Sequence, residues 1–473
     1  MQAATGARET LAGVTLVTRL RTIALYLVIF GAAFGIYHSN GPYPLGSFDS
    51  APNSLLAFDL FSRGRLDFDV LRGGYLVQRG AGYAFVESPS GHYVSFFPIG
   101  TAIVTLPLYV AFDAARRIGG RPVDIAAPSF DAVRQLDIKA ASTTVAAVAV
   151  VLFLICARSI ASAFAAGIAT FGFAFGTEMW TIGSQDLWQH GSVCLVLLAM
   201  ILALQRAIRS PAGGRRQAWI LAAGACAGLL VTIRPMAALF ALAAVVFIAW
   251  QDRRNLARFA LGLAGGVAPA LAWNIVFFHN LLGGYSANVG AVSFRAHDVA
   301  AALAGELISP NHGLFVFTPL VVFSVLGLAR AARAKTTDAA LMLLLAGASL
   351  LLCITYSFDA TWWGGWCYGP RYLTDTMPIA ALLWLYVLPK DPRAFLSRGP
   401  AAYGAAAAFA LVLAVSVAVQ VVGSNSGTKG TQWYTLKRNI DNDPAQFWDV
   451  SDLQIAWDAR AMYEQFTPPQ PER

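Results

Sequence analysis

One short segment of the chain brings tryptophans, glycines and an arginine together directly before an apolar run. Residues 359–373 read DATWWGGWCYGPRYL and contain Trp363, Trp366, Tyr368 and Arg371. Glycine allows close approach to the backbone, tryptophan offers a flat apolar face, and the planar guanidinium of arginine binds phosphate. A membrane-surface aromatic belt requires neither Gly-Gly nor Gly-Pro-Arg. We therefore predict that this segment binds a substrate, with Arg371 at a phosphate group.

A second polar segment combines acidic, aromatic and imidazole side chains between two apolar runs. Residues 178–190 read EMWTIGSQDLWQH and include Glu178, Asp186, Trp188 and His190. Tryptophan faces stack on sugar rings, whereas aromatic residues alone would mark only the membrane interface. We predict that these four residues bind substrate, and the carboxylates and histidine are also candidate metal ligands.

Two further cations lie at the ends of apolar runs. Arg234 is followed by Pro235, which ends a helix, so Arg234 either snorkels to the membrane surface or binds phosphate. Lys139 begins another apolar run. Together with Arg371, these two side chains are our candidates for binding a phosphate.

The first long polar loop, residues 39–138, has the signals of a small folded unit. Asp49 follows a proline-rich turn and precedes an amphipathic stretch at 54–61, which predicts an interfacial helix. Asp49 either caps that helix or acts on a substrate. Segments 75–78 and 83–86 flank a glycine-containing turn and predict a β-hairpin. Asp67 and Asp69 either bind a divalent metal or lie at a strand edge.

These polar segments interrupt a chain whose composition is that of a membrane protein. Of 473 residues, 57% are hydrophobic and 13% charged, against roughly 25% charged in soluble domains. The net charge of +8 comes without a basic helix or an RNA-type aromatic motif, so we expect no nucleic acid partner. Most basic residues lie in short loops, where positive charge sets membrane orientation. The first apolar run lacks a cleavage site and is expected to remain as an anchor.

The apolar runs predict an all-α polytopic membrane protein with about eleven transmembrane helices. The runs are 22–38, 98–114, 139–157, 161–180, 190–206, 217–233, 235–250, 259–278, 313–330, 338–356, 372–389 and 401–422. All the basic loops fall on one side only if one run does not cross, and the proline-interrupted 98–114 is the weakest. We predict that it is re-entrant or juxtamembrane. Residues 1–422 then form the membrane domain, and 423–473 a short periplasmic tail.

The remaining histidines and cysteines give no strong metal signal. His279, His297 and His312 follow one polar loop and are predicted to be loop or gating residues. The five cysteines have no paired spacing, which is typical of small core residues and not of a disulfide framework.

At these residues the chain resembles the GT-C superfamily of membrane glycosyltransferases, near its protein mannosyltransferase and lipid A aminoarabinose transferase branch. The elements that carry the resemblance are spread over nearly the whole chain. They are the first loop with Asp49, FFPIGT at 96–101, SPNHGLFVFTP at 309–319, WGGW at 363–366 and GPRYL at 369–373. The chain departs from the pattern at Ser50, where protein mannosyltransferases have a second carboxylate. We also expect no large soluble domain after the last span.

The resemblance implies a polyprenyl-phosphate-linked sugar donor and an inverting transfer at the outer face of a bacterial inner membrane. It assigns Asp49 as the catalytic base that acts on an extracytoplasmic acceptor, which is a glycolipid, polysaccharide or protein. No cofactor is certain, and a divalent metal, Mg²⁺ or Mn²⁺, is compatible with the residues. The N-terminus is expected in the cytoplasm, and the other partners are membrane lipids. The alternatives are a lipid-linked oligosaccharide ligase or polymerase, and a lipid or sugar transporter.

Overall fold

A computed structural model of the protein describes residues 2–287, 299–435 and 439–467, and these residues are mostly α-helical. The helices of the described chain are α1 (Gln2–His38), α2 (Ala51–Arg63), α3 (Tyr75–Gln78), α4 (Gly100–Ile118), α5 (Phe130–Arg158), α6 (Ala163–Phe175), α7 (Gln189–Arg209), α8 (Gly214–Ile233), α9 (Ala238–Gln251), α10 (Leu256–Phe278), α11 (Val299–Ile308), α12 (Leu314–Phe317), α13 (Val321–Ala331), α14 (Thr337–Tyr356), α15 (Met377–Trp384), α16 (Pro392–Leu396), α17 (Pro400–Asn425), α18 (Gly427–Gly430) and α19 (Gln454–Phe466).

Seven helices in the described residues are long and apolar enough to cross a membrane. They span Thr18–His38, Phe130–Arg158, Gln189–Arg209, Gly214–Ile233, Arg253–Phe278, Thr337–Tyr356 and Pro400–Asn425. Shorter apolar helices accompany them at Ala163–Phe175, Pro235–Gln251, Val299–Ile308 and Val321–Ala331. The prediction of an all-α polytopic membrane protein is confirmed.

Several predicted apolar runs form short helices because proline or a change of helix type interrupts them. The 313–330 run is divided into α12 and α13 at Thr318–Leu320, where Pro319 has no amide hydrogen to donate. The 372–389 run begins as a 3₁₀ helix at Arg371–Thr376 and continues as α15. Such breaks leave backbone and polar side chains at membrane depth, where they must be covered by protein or line a cavity.

The segment predicted as re-entrant or juxtamembrane forms α4, a helix of 19 residues with Pro107 inside it. It is not among the seven long apolar helices found in the described chain. One face of α4 packs against α2, and further contacts reach α5 and α8. The interfacial helix predicted at 54–61 corresponds to α2, whose first nine residues are buried.

The predicted hairpin exists, but it lies later in the chain than the sequence suggested. Residues 75–78 form α3, and the paired strands are β1 (Phe85–Glu87) and β2 (Tyr93–Ser95), antiparallel with Val86 opposite Val94. The turn closes where the Ser88 amide donates to the His92 carbonyl at 2.8 Å, and Gly91 adopts φ 81°. A positive φ favours glycine, so Gly91 fixes the turn there.

Helices α8 and α10 pack more closely than any other pair in the described chain because glycines line their contact. Gly224 and Gly228 on α8 face Gly262 and Gly266 on α10, at four-residue spacing on both helices. A Cβ at any of the four would collide with the backbone of the other helix. Small residues at this spacing let helix backbones touch in a membrane.

The polar segments meet at one end of the bundle, which we call the loop end, where α1, α8, α10, α14 and α17 finish and α5 and α7 begin. The side-chain amide of Asn40, after α1, donates to the Ser424 carbonyl on α17 at 2.5 Å. The side-chain amide of Gln185, before α7, donates to the Tyr37 carbonyl at 3.1 Å. The C-terminal segment after α17 folds back over this end, and α19 packs against α17 and α18.

Candidate functional site

Asp49 and Arg371, 322 residues apart in the chain, form an ion pair at the loop end. The Arg371 Nη1 donates to Asp49 Oδ2 at 2.8 Å, and its Nη2 donates to the Gly364 carbonyl at 2.6 Å. The Tyr83 hydroxyl donates to Asp49 Oδ1 at 2.7 Å. Both oxygens of Asp49 are therefore bound, one by a cation and one by a phenol.

Opposing effects set the charge of the Asp49 carboxyl. Burial raises its pKa, but the Arg371 guanidinium and the hydrogen bonds from Arg371 and Tyr83 outweigh burial and lower the pKa overall. Asp49 is therefore an ionised carboxylate at neutral pH. The ring of Trp188 lies against Arg371, and the Arg371 guanidinium carbon is 4.9 Å from the centre of that ring.

A second buried arginine is held by groups from three parts of the chain. Arg234 Nη1 lies 3.2 Å from Asp375 Oδ2 and within 3.0 Å of both ring nitrogens of His190. The His190 Nδ1 lies 2.8 Å from Asp375 Oδ1. The Arg234 guanidinium carbon is 5.2 Å from the Tyr356 ring centre and 5.1 Å from that of Tyr372. Charge pairing and two aromatic faces therefore fix Arg234 in position.

Arg234 lies in the wall of a cavity of about 480 Å³. The rest of the wall is mostly apolar and comes from the FFPI segment at 96–99, α8, α10, the 281–285 segment and α14. Its polar members include Asn274, Tyr285, Tyr356 and Asp359. An apolar cavity with few polar groups is typical of a ligand site, and here the fixed cation is an arginine.

Tyr372 joins the two arginine sites. Its ring lines the cavity, and the guanidinium carbons of Arg371 and Arg234 lie 5.9 Å and 5.1 Å from its centre. It also stacks on Tyr356, with ring centres 4.4 Å apart. The Asp49–Arg371 pair is thus one aromatic ring away from the cavity wall.

Three other predicted site residues are buried close to the loop end but do not line the cavity. Lys139 is fully buried, and its ammonium donates to the Asn40 side-chain oxygen at 2.9 Å and to Gln185. Glu178 is also fully buried and accepts from the hydroxyls of Thr318 and Thr374. Burial raises the pKa of Asp186 to about 7, against the opposing hydrogen bond from the Leu187 amide.

The predicted aromatic residues of the 359–373 segment mostly pack against other protein. Trp363 lies in a buried cluster with Trp362, Trp433 and Phe447, and its indole donates to Asp441 Oδ1 at 3.3 Å. Tyr368 packs on Phe317 and donates to the Val419 carbonyl at 2.9 Å. Trp366 is 45% exposed and donates to Asp441 Oδ2 at 3.1 Å. Of these three predicted side chains, Trp366 alone is exposed.

One group of metal-ligand type occurs in the described residues, formed by Asp67, Asp69 and His92. Asp67 is paired with Arg65 at 2.6 Å, and Asp69 with Arg72 at 3.1 Å. The His92 Nδ1 lies 2.7 Å from Asp69 Oδ2. The carboxylates thus have cation partners from the chain itself.

The three loop histidines have different surroundings. His312 is buried between the rings of Trp362 and Phe447, and burial lowers its pKa to about 3. His279 ends α10 with φ 54°. His297 lies outside the described residues.

Sequence reasoning missed Asp375, Tyr83 and the cavity tyrosines. Asp375 follows the quoted GPRYL motif by two residues, and its position inside an apolar run was a usable signal, because a membrane-depth carboxylate needs a partner. Tyr83 gave no such signal, since tyrosine is common in loops. Tyr356 and Tyr372 flank the Trp-Gly segment and resemble ordinary interface anchors.

Comparisons with known proteins establish the fold. No family model and no curated protein matches the sequence. ArnT from Cupriavidus metallidurans, solved bound to undecaprenyl phosphate, is 15% identical, with 94% of this chain and 75% of that chain covered and a TM-score of 0.50. The oligosaccharyltransferase of Archaeoglobus fulgidus, solved in complex with Zn and sulfate, is 14% identical. It matches over 89% of this chain and 57% of its own, with a TM-score of 0.51.

Both proteins are members of the GT-C superfamily, so the fold implied by the sequence resemblance is confirmed. At these identities the likeness concerns the fold alone.

Proposed function

We propose that the protein is a membrane glycosyltransferase that takes a sugar from a polyprenyl-phosphate-linked donor and transfers it to a hydroxyl of an extracytoplasmic acceptor. The observation that carries the proposal is the cavity, whose apolar wall contains Arg234 and adjoins the Asp49–Arg371 pair through Tyr372. An isoprenoid chain matches the apolar wall, and an arginine matches its phosphate. ArnT, which shares the fold, was solved with such a lipid.

The reaction is a single displacement at the anomeric carbon of the donor sugar. The acceptor hydroxyl attacks this carbon, the bond from the carbon to the phosphate oxygen breaks, and the polyprenyl phosphate leaves. Attack from the face opposite the leaving group inverts the configuration. Asp49 takes the proton of the attacking hydroxyl, and a positioned base contributes about 10²–10⁴-fold to such a step.

The arginines stabilise the charge that collects on the leaving phosphate. In a low-dielectric site, fixed cations lower the energy of a charged transition state more than they would in water. Arg234 contributes from the cavity wall. Arg371 is bound to Asp49 in this structure, so a phosphate that takes over its guanidinium frees Asp49 Oδ2 to accept a proton. Donor binding would thereby prepare the base.

The balance of charges around the cavity favours a monophosphate donor over a diphosphate donor. Each arginine has a carboxylate partner, Asp375 for Arg234 and Asp49 for Arg371, and Asp359 lies in the cavity wall. A polyprenyl-phospho-sugar carries one negative charge, and a diphosphate carries two. The added charge is costly in a low-dielectric site without a further cation.

The distribution of basic residues supports a site on the outer face of a bacterial inner membrane. The ends of α5, α7 and α13 away from the loop end carry Arg158, Arg209 and Arg330, and the first turn of α8 carries Arg215 and Arg216. Loops rich in lysine and arginine stay in the cytoplasm. The N-terminus would then be cytoplasmic and the loop end periplasmic.

The test is sugar transfer by the purified protein, with polyprenyl-phosphate-linked donors that carry the label in the sugar. Loss of the label from the lipid measures the release of polyprenyl phosphate. The wild type should release it, and Asp49→Asn should reduce the rate at least about 10²-fold with unchanged membrane insertion. Asp124→Asn, an exposed carboxylate in the same loop, is the matched control and should retain the wild-type rate.

Two results would contradict the proposal. Equal rates for wild type and Asp49→Asn would remove Asp49 from the mechanism. A wild type that moves the intact lipid-linked sugar across a vesicle membrane without cleaving it would identify a transporter.

A further inference from the structure

We propose that Asp375 and His190 are positioning residues that hold Arg234 in the orientation in which it binds the donor phosphate. The inference rests on the proposed function and adds two residues that touch the arginine instead of the donor. Neither Asp375 nor His190 is among the residues that line the cavity, whereas Arg234 is. His190, predicted from the sequence to bind substrate, is thereby given a different role.

The carboxylate of Asp375 supplies two acceptors to two donors. Oδ1 lies 2.8 Å from His190 Nδ1, and Oδ2 lies 3.2 Å from Arg234 Nη1. Asp375 is completely buried, and an unpaired charge in that position would be strongly destabilising. Because an amide has only one acceptor oxygen, asparagine cannot satisfy both donors.

The neutral imidazole of His190 connects the carboxylate to the arginine. A proton on Nδ1 donates to Asp375, which leaves Nε2 to accept from Arg234 Nη1 at 3.0 Å. This tautomer gives each ring nitrogen and each Asp375 oxygen a partner, and Nη1 also lies 2.7 Å from the protonated Nδ1, which is a contact between two donors. Because a neutral ring carries no charge, replacing it changes the orientation of Arg234 with little change in the electric field at the phosphate.

The network occupies only one corner of the guanidinium. All hydrogen bonds of Arg234 to the described residues run through Nη1. Nε and Nη2 are left for a ligand in the cavity, whose wall includes Arg234. The side chain is further confined between the rings of Tyr356 and Tyr372. A free arginine loses rotamer entropy on binding, and a pre-positioned arginine avoids most of that loss.

A buried ion pair is weak evidence for stability, because apolar residues of similar volume often stabilise a protein equally well. Three ionisable or polar side chains from α7, the α8–α9 junction and the 371–376 segment meet at this point. Their position behind a cavity-facing arginine is explained by a need for orientation.

The experiment compares binding of two lipids that differ only in the phosphate group. The purified full-length protein is titrated with undecaprenyl phosphate and with undecaprenol, and the ratio of the two dissociation constants measures the contribution of the phosphate. His190→Ala and Asp375→Glu should each lower this ratio about 10-fold, which is about 1.4 kcal/mol, while binding of undecaprenol stays the same. His190→Asn, which has one donor and one acceptor, should restore most of the ratio.

Two controls separate positioning from structural damage. His312→Ala removes another buried histidine, outside the cavity wall, and should leave the ratio unchanged. With Arg234→Gln the ratio should already be low, and adding His190→Ala should lower it no further.

Four outcomes would overturn the inference. One is an unchanged ratio in folded His190→Ala and Asp375→Glu. Another is tighter phosphate binding in Asp375→Asn with no effect of the other two variants, which would make Asp375 only a counter-charge. Equal loss of both lipids would indicate collapse of the cavity. A wild type that does not prefer the phosphate would refute the donor class itself, and the inference with it.

Discussion

At the scale of single residues, the centre of the proposed site is the ion pair between the Asp49 carboxylate and the Arg371 guanidinium. The sequence predicts Arg371 as a site residue from its Trp-Gly surroundings and Asp49 from the family resemblance. The Arg371 guanidinium and the Asp49 carboxylate are in contact. The sequence does not predict Asp375 and Tyr83 as site residues, because their importance comes from partners far away in the chain. Trp363 and Tyr368 were predicted to bind substrate because of their residue type, but their rings pack against other residues of the chain.

The Asp49–Arg371 pair predicts a specific pH dependence. Asp49 must be ionised to accept a proton, so activity is lost as the pH falls through its pKa. Arg371 lowers that pKa, while burial raises it. In Arg371→Gln only the effect of burial and the weaker hydrogen bonds remain, so the acid limb of the kcat/KM profile should move to higher pH.

The measurement is a normalised pH–rate profile of both proteins, since the variant is also expected to bind donor more weakly. Arg398→Gln, a substitution near the opposite end of the bundle, is the control and should keep the wild-type profile. A variant profile that coincides with the wild type would mean that Asp49 is not the titrating base.

At the scale of elements, apolar periodicity predicted where helices lie but not where they break. The 313–330 and 372–389 runs are interrupted at polar or proline residues, and these breaks bring Asp375 and the Thr318 backbone into the interior. The observed hairpin lies later in the chain than the predicted one, because both predicted strands were short and equally consistent with helical turns. The four-residue glycine spacing of α8 and α10 is visible in the sequence and is typical of a close helix contact in membranes.

The glycine contact predicts a sharp difference between two adjacent positions. In Gly266→Ala the new Cβ would collide with the Ala225 carbonyl on α8, whereas in Gly265→Ala it would meet nothing. Gly266→Ala should destabilise the protein by about 1–3 kcal/mol. Gly265→Ala should be neutral or stabilising by about 0.5–1 kcal/mol, because alanine favours the helix.

Thermal unfolding of both variants in detergent measures the difference, and undecaprenyl phosphate binding gives a second reading. The neighbouring Val267 and Ala270 line the cavity, so Gly266→Ala should also weaken lipid binding. Equal melting temperatures for the two variants would show that the helices are not in backbone contact.

At the scale of the whole molecule, composition alone was sufficient to predict a polytopic helical membrane protein, and the fold comparisons agree with it. We propose the orientation from charge, because the short loops at the end away from the site are rich in arginine. The convergence of distant loops, and the cavity they enclose, could not be predicted, since they depend on how α8, α10 and α14 pack against each other.

The orientation can be measured by thiol labelling of intact cells in a variant without its native cysteines. Ser451→Cys, in the C-terminal segment at the loop end, should react with a membrane-impermeant maleimide. Ser397→Cys, between α16 and α17 at the opposite end, should react only after permeabilisation. The reverse labelling pattern would put the proposed site in the cytoplasm.

The most direct measurement is a cryo-electron microscopy structure of the protein in lipid nanodiscs that contain undecaprenyl phosphate. We expect the phosphate beside Nε and Nη2 of Arg234, and the isoprenoid chain along the cavity wall near Leu271 and Trp273. Arg371 should turn from Asp49 toward the phosphate. An empty cavity, with the lipid phosphate bound only at the arginine-rich opposite end, would contradict the account.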